Sequence, residues 1–269
     1  MGQAVSPLDA MFAATRAERR AALIGYLPAG YPTVDRSKQL FGALLDAGCD
    51  LVEVGMPFSD PVLDGPTIQA ASDAALRAGF RLRELFGVVE SIAAAGGRAV
   101  VMTYWNPVYR YGVDAFARDL ACAGGLGIIT PDLIPDEAGE WLAASEAHDL
   151  DRIFLLAPSS TPERIARTVD VSSGFVYAAS VMGVTGARDA VSSGAGDLVR
   201  RIRSHTELPV GVGLGVRSGE QAAQVAGFAD AVIVGSAFVS RAEQGIEAVC
   251  DLATELAEGV RAPAVSTIG

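Results

Sequence analysis

The sequence predicts an α/β protein: a (β/α)8 TIM barrel with an additional N-terminal helix. Three observations carry this. Eight short runs rich in β-branched residues recur along the chain. Segments of helical spacing alternate with them. Across all 269 residues no linker or shift of composition appears, so one domain is expected over 1–269, with the barrel at about 20–260 and a flexible tail at 261–269.

The first strand is "ALIGYL" from Ala22, followed by the helical "RSKQLFGALLDAG". The second is "CDLVEVG" from Cys49, and "RLRELFGVVESIAAAGG" supplies its helix. "RAVVMTY" from Arg98 and "GIIT" from Gly127 are the third and fourth, with "VDAFARDLACAGG" between them and "PDEAGEWLAASEAHDL" after. "RIFLLA" from Arg152 precedes the helical "TPERIARTV", and "GFVYAAS" from Gly174 precedes "GAGDLVRRIRSH". "LPVGVGLG" from Leu208, "SGEQAAQVAGF", "DAVIVG" from Asp230 and "GIEAVCDLATELAEGVR" complete the order. Strongly apolar strands alternating with helices belong to a parallel sheet covered on its outer face. In "DAGCD", "AAGGRA" and "CAGGLG" a glycine stands where a helix C-cap needs positive φ. An open doubly wound sheet is the alternative, but it rarely uses eight such regular repeats.

Half the residues are hydrophobic and the net charge is −11, from 21 basic against 32 acidic residues. The short basic pieces "RAERR" and "VRRIR" read as solvated helix faces, so no nucleic-acid or anionic membrane partner is expected. No apolar run reaches the roughly 20 residues of a spanning helix, and no signal peptide is read at the start. Cys49, Cys122 and Cys250 are dispersed, without C-x-x-C spacing, which fits reduced and mostly buried thiols in a cytoplasmic protein.

One stretch breaks the strand pattern. In "DLVEVGMPFSDPVLDGPTIQAA", residues 50–71, Glu53 lies among Leu51, Val52 and Val54, and Asp60 and Asp64 follow in a Pro- and Gly-punctuated loop. Period-two alternation puts Leu51, Glu53 and Gly55 on one face of the strand, aiming Glu53 into the barrel mouth. Catalytic groups of such barrels lie at the C-terminal strand ends. Burial raises a carboxyl pKa and favours a group that both gives and takes a proton. Asp64 can approach the same pocket, although "LDG" alone is also an ordinary turn, and "SDP" at Asp60 can simply start one.

A second group of residues points to phosphate. "SVMGVTGA", "GVGLGVRSGEQ" and "VIVGSAFV" follow the last three strands, where barrel enzymes bind phosphate with loop and helix-start amides. Gly213, Gly215, Gly235 and Ser236 fit this, with Gly186 from the loop above. Plain βα turns explain any one of these loops better than all three together.

Scarcity narrows the chemistry. Lys38 is the only lysine and falls in a helical segment, which disfavours a Schiff-base aldolase. His148 and His205 are the only histidines, isolated and late in helical segments, so no metal site and no Ser/His triad is expected. Acid–base work by carboxylates on a phosphorylated substrate remains. Tyr26, Tyr104, Trp105 and Tyr177 near strand ends suit a flat, partly apolar substrate, and each could equally be core.

At these residues the chain resembles the α-subunit family of tryptophan synthase. The similarity runs through "LIGYLPAGYP", "VEVGMPFSDPVLDGPTIQ", "MTYWNPVYRYG", "TPDLIPDE", "YAASVMGVTGAR", "VGLGV" and "VIVGSAFV", with wording most like actinobacterial members. The resemblance implies retro-aldol cleavage of indole-3-glycerol phosphate to indole and glyceraldehyde 3-phosphate. It implies that Glu53 is the general acid/base and that Asp64 receives the indole N–H. It implies substrate contacts at Tyr26, Tyr104, Tyr177 and Thr185, with Thr185 closing over the site to bond Asp64. Gly186, Gly213, Gly215, Gly235 and Ser236 match the phosphate cradle, and Asp60 and Pro61 match the loop that touches a β subunit. It further implies an α2β2 complex, no cofactor in this chain and pyridoxal phosphate in the β subunit. Val181, Met182, Ile134 and Pro28 depart from residues common in the family, none at a catalytic position. A stand-alone indole-releasing lyase, a sugar-phosphate isomerase or epimerase, and an inert partner barrel are the other readings.

Overall fold

A computed structural model of the chain describes residues 6–180 and 188–262, with backbone alone for 188–193. Its elements run α1 (Pro7–Ala17), β1 (Ala22–Pro28), α2 (Val34–Asp46), β2 (Leu51–Gly55), α3 (Pro66–Arg77), α4 (Leu82–Ala94), β3 (Ala99–Met102), α5 (Trp105–Tyr111), α6 (Val113–Cys122) and β4 (Gly127–Thr130). A 3-10 turn at Pro135–Glu137 leads into α7 (Gly139–Ala147), β5 (Asp151–Leu156), α8 (Pro162–Val171), β6 (Val176–Ala179) and α9 (Arg188–Arg203). β7 (Val210–Gly213), α10 (Gly219–Ala226), β8 (Ala231–Val234), α11 (Ser236–Ala242) and α12 (Ile246–Arg261) follow.

The eight strands close into a barrel in sequence order, every neighbour parallel, with β8 returning to β1. Ile24 is in register with Leu51 on one side and Ile233 on the other. Both faces of each strand are occupied, which is why the runs read as almost continuously apolar. Leu23, Val52, Val54, Val101 and Val232 pack outward against the helices. Ala22, Ile24, Leu51, Val100, Ile129, Ile153, Phe175, Ala231 and Ile233 fill the interior.

The N-terminal helix belongs to that interior. Ser6 and Asp9 form a capping box at the start of α1, and Pro7 occupies its first position. Leu8, Met11 and Phe12 then join the inner cluster, with the Phe12 ring 5.7 Å from that of Phe175. The N-terminal end of the barrel is therefore plugged with apolar side chains, each contributing roughly 1.5–3 kcal/mol when fully buried. Glu53 of β2 lies at the opposite end, toward the C-terminal strand ends.

All eight strands fall where the sequence puts them, and Gly48, Gly96 and Gly124 carry the positive φ expected of helix C-caps. The helices and the thiols depart from the reading in places. α3 is a helix the sequence reading did not name: it begins at Pro66, a residue suited to the first helical position. α5 and α11 are further short helices directly after strand ends, and "PDEAGEWL" is a 3-10 turn followed by a helix. Lys38 lies in α2, within the helical segment expected for it. Of the thiols only Cys49 is buried. Cys122 is exposed on the outer face of α6, and Cys250 is half-buried in α12.

Candidate active site

Glu53 is the one charged residue type within β2, and it is only 1% exposed. Its neighbours Val52 and Val54 turn outward to the helices, which leaves its side chain on the inner face. In register, Glu53 sits between Tyr26 of β1 and Val100 of β3. Its Oε2 is buried with no hydrogen-bond partner among the described residues. Burial, followed by the charge of Asp64, pushes its pKa up to about 8. At neutral pH the free protein therefore holds a protonated carboxyl at the strand end, poised to donate.

Asp64 is half-buried in the loop between β2 and α3. Burial raises its pKa as well, but the Tyr104 hydroxyl opposes this by stabilising the ionised form. That hydroxyl also accepts the Leu63 N–H at 3.0 Å. The Tyr104 ring is 5% exposed and packs against Phe58, centroids 5.2 Å apart. The two carboxyls thus face one space in unequal surroundings, the arrangement that separates an acid from an anion.

Tyr26 and Tyr177 complete the mouth. Burial raises both phenols well above the ordinary tyrosine range, and both feel the charges of Glu53 and Asp64. Each lies over a glycine. A Cβ on Gly55 or on Gly213 would stand 2.4 Å from the hydroxyl of Tyr26 or Tyr177, respectively. Gly213, expected as part of a phosphate cradle, therefore also makes room for a ring.

Gly213 ends β7 in register with Ile233, two residues before Gly235, so the loops after β7 and β8 emerge side by side. Gly215 has φ 79° with open space about it, so its backbone conformation, not crowding, calls for glycine. Gly235 precedes α11 and Ser236 is its first residue. Asp60 is exposed and Pro61 half-buried in the β2 loop, beside Val62 at 76% and Leu63 at 59% exposure. Thr185, Gly186, Val181 and Met182 lie outside the described residues. Sequence reasoning missed Phe58 and the Leu63–Tyr104 bond, a pairing across 41 positions with no local signature.

Among the described residues no group of three or more His, Cys, Asp or Glu side chains is arranged to hold a metal ion. Among the described residues no helix is long and apolar enough to cross a membrane.

A family model described as "Tryptophan synthase alpha chain" matches residues 12–264. The tryptophan synthase alpha chain of Nocardia farcinica is 64% identical over 262 residues, covering 97% of this chain and 98% of its own. That of Mycobacterium avium is 66% identical over 263 residues, covering 97% of both chains. Among solved structures, tryptophan synthase of Mycobacterium tuberculosis superposes with a TM-score of 0.92 at 63% identity, over 97% of this chain and 100% of the other.

Proposed function

The chain belongs to the tryptophan synthase alpha chain family, and from that premise we propose that it cleaves indole-3-glycerol phosphate to indole and glyceraldehyde 3-phosphate by carboxylate acid–base chemistry. It is a carbon–carbon lyase. The observation that carries the mechanism is Glu53: a carboxyl 1% exposed, its Oε2 unpartnered among the described residues, with a pKa near 8.

On this reading Glu53 delivers its proton to indole C3. The bond from C3 to the glycerol carbon then breaks, and the hydroxyl on that carbon becomes the aldehyde as it gives up its proton. Glu53, now a carboxylate, takes that proton and is restored. Asp64 receives the indole N–H and balances positive charge developing on the ring during C3 protonation. The Tyr104 hydroxyl, which favours the ionised form of Asp64 against the upward push of burial, suits it to this role. Tyr26 and Tyr104 line the indole, Tyr177 lies by the glycerol portion, and Thr185 closes over Asp64. Gly186, Gly213, Gly215, Gly235 and Ser236 hold the phosphate, chiefly through backbone N–H groups.

The reaction asks for no cofactor in this chain. Indole passes to a pyridoxal-phosphate-containing β subunit in a cytoplasmic α2β2 complex, with Asp60 and Pro61 in the contact loop. The test is indole release from indole-3-glycerol phosphate by the purified chain, with and without β subunit. Weak turnover should rise sharply on adding the β subunit, and Glu53→Gln should abolish it while the fold persists. Near-normal turnover by Glu53→Gln would refute the role given to Glu53.

A further inference from the structure

We propose that Tyr104 is a positioning residue whose hydroxyl fastens the loop after β2 and thereby aims the Asp64 carboxylate. The inference rests on the reading of Asp64 as the carboxylate that meets the substrate ring.

Beyond the Phe58 ring that packs on Tyr104, residues 59–65 are lightly held. Ser59 and Asp60 are exposed, and Val62 and Leu63 turn 76% and 59% of their surface to solvent. The Ser59 hydroxyl bonds only its neighbour Asp60, and the Asp64 carbonyl accepts from Gln69 on the following helix. Such a segment has little apolar packing to keep it in one place. Among the described residues, the hydrogen bond by which it reaches another strand's end is the one from the Leu63 N–H to the Tyr104 oxygen.

The Leu63 N–H donates to that oxygen at 3.0 Å, and the amides of Val62 and Asp64 flank it. The bond holds the residue next to Asp64 in the chain, and the phenol's own proton is free to face the Asp64 carboxylate, whose ionised form that hydroxyl favours. Hydrogen bonds in such a chain polarise and strengthen one another. The anchor itself is rigid: Tyr104 follows β3, is 5% exposed and packs on Phe58. The other groups facing Asp64 are Glu53 from β2, Tyr26 from β1 and Tyr177 from β6. None of them is a cation, so no ion pair among these groups aims the carboxylate in place of the phenol.

Tyr104→Phe keeps the ring and its packing and removes only the hydroxyl. The full chain with β subunit should lose about tenfold in kcat for indole release, with KM changed less than about twofold. In an Asp64→Asn background the same substitution should change kcat less than about twofold, because the group it positions is gone. Amide hydrogen exchange at Leu63 should accelerate at least about tenfold in Tyr104→Phe, whatever the activity. Unchanged exchange at Leu63, or an equal loss of kcat with and without the Asp64 carboxylate, would overturn the proposal. Failure of the wild-type chain to release indole would instead strike the reading of Asp64, and exchange at Leu63 would still decide whether the hydroxyl fastens the loop.

Discussion

A Cβ atom on Gly55 would stand 2.4 Å from the Tyr26 hydroxyl oxygen and 2.5 Å from the Tyr26 ring. The glycine that ends β2 is therefore the floor on which a neighbouring strand's tyrosine lies. Gly213 and Tyr177 repeat the relationship across the mouth, again at 2.4 Å. Two phenol ends thus rest over two glycines at the strand ends, and Glu53 is in register with one of the two tyrosines, Tyr26.

The two pairs should respond differently to the same substitution. Tyr26 is 6% exposed and tightly enclosed, whereas Tyr177 is half-buried. Gly55→Ala should lose about 1–3 kcal/mol of stability, as overpacked sites do. Gly213→Ala should lose less in urea denaturation, but should raise KM for indole-3-glycerol phosphate as Tyr177 is displaced. Equal stability losses would mean that Tyr177 is as tightly confined as Tyr26.

Stability and chemistry are separated along the barrel axis. Phe12 is 3% exposed, packs on Phe175 and sits at the end opposite the carboxyls. Phe12→Ala should cost about 3–5 kcal/mol, the usual price of deleting a buried ring. Turnover per folded molecule, measured well below the melting transition, should stay within twofold of the parent. A large loss there with the fold intact would show that the plug shapes the mouth.

Legibility from sequence followed the physics of each element. The eight strands were readable because burial on both faces leaves unbroken apolar runs, and Glu53 was readable as the carboxylate inside one of them. α3 was not, since its buried residues are Ala71, Ser72 and Ala75, too small to form an apolar stripe. α5 and α11 have seven residues each, barely two turns over which a period could show. Tyr104 was legible as a ring near a strand end, but its bond to Leu63 depends on β2 and β3 being neighbours in the closed sheet.

Val62 and Leu63 are exposed apolar residues at adjacent positions, next to Asp60 and Pro61 in the proposed contact loop. Neither supports the core, so replacing both by serine should shift the isolated chain's stability by no more than about 0.5 kcal/mol. Stimulation of indole release by β subunit should fall by a larger factor than basal turnover does. Titrating β subunit against each protein checks this, and identical stimulation curves would remove the pair from the interface.

Glu53 should also leave a signature in the pH dependence of folding. Its pKa is about 8 in the folded chain against an ordinary value of 4.5. Between those values the folded state binds more protons than the unfolded state, so stability falls as pH rises through this window and levels off above it. The contribution is fully present below about pH 4.5 and is lost by passing through about pH 8, a difference on the order of a few kcal/mol. Asp64, also raised, adds a slope of the same sign, but it does so in parent and variant alike. Glu53→Gln removes the titrating group while keeping nearly its shape. Its urea midpoint should therefore fall less steeply with pH than the parent's, and near pH 9 the variant should be the more stable protein. Parallel profiles for the two proteins would mean that Glu53 is solvated well enough to titrate normally, and the protonated acid on which the cleavage mechanism depends would be gone with it.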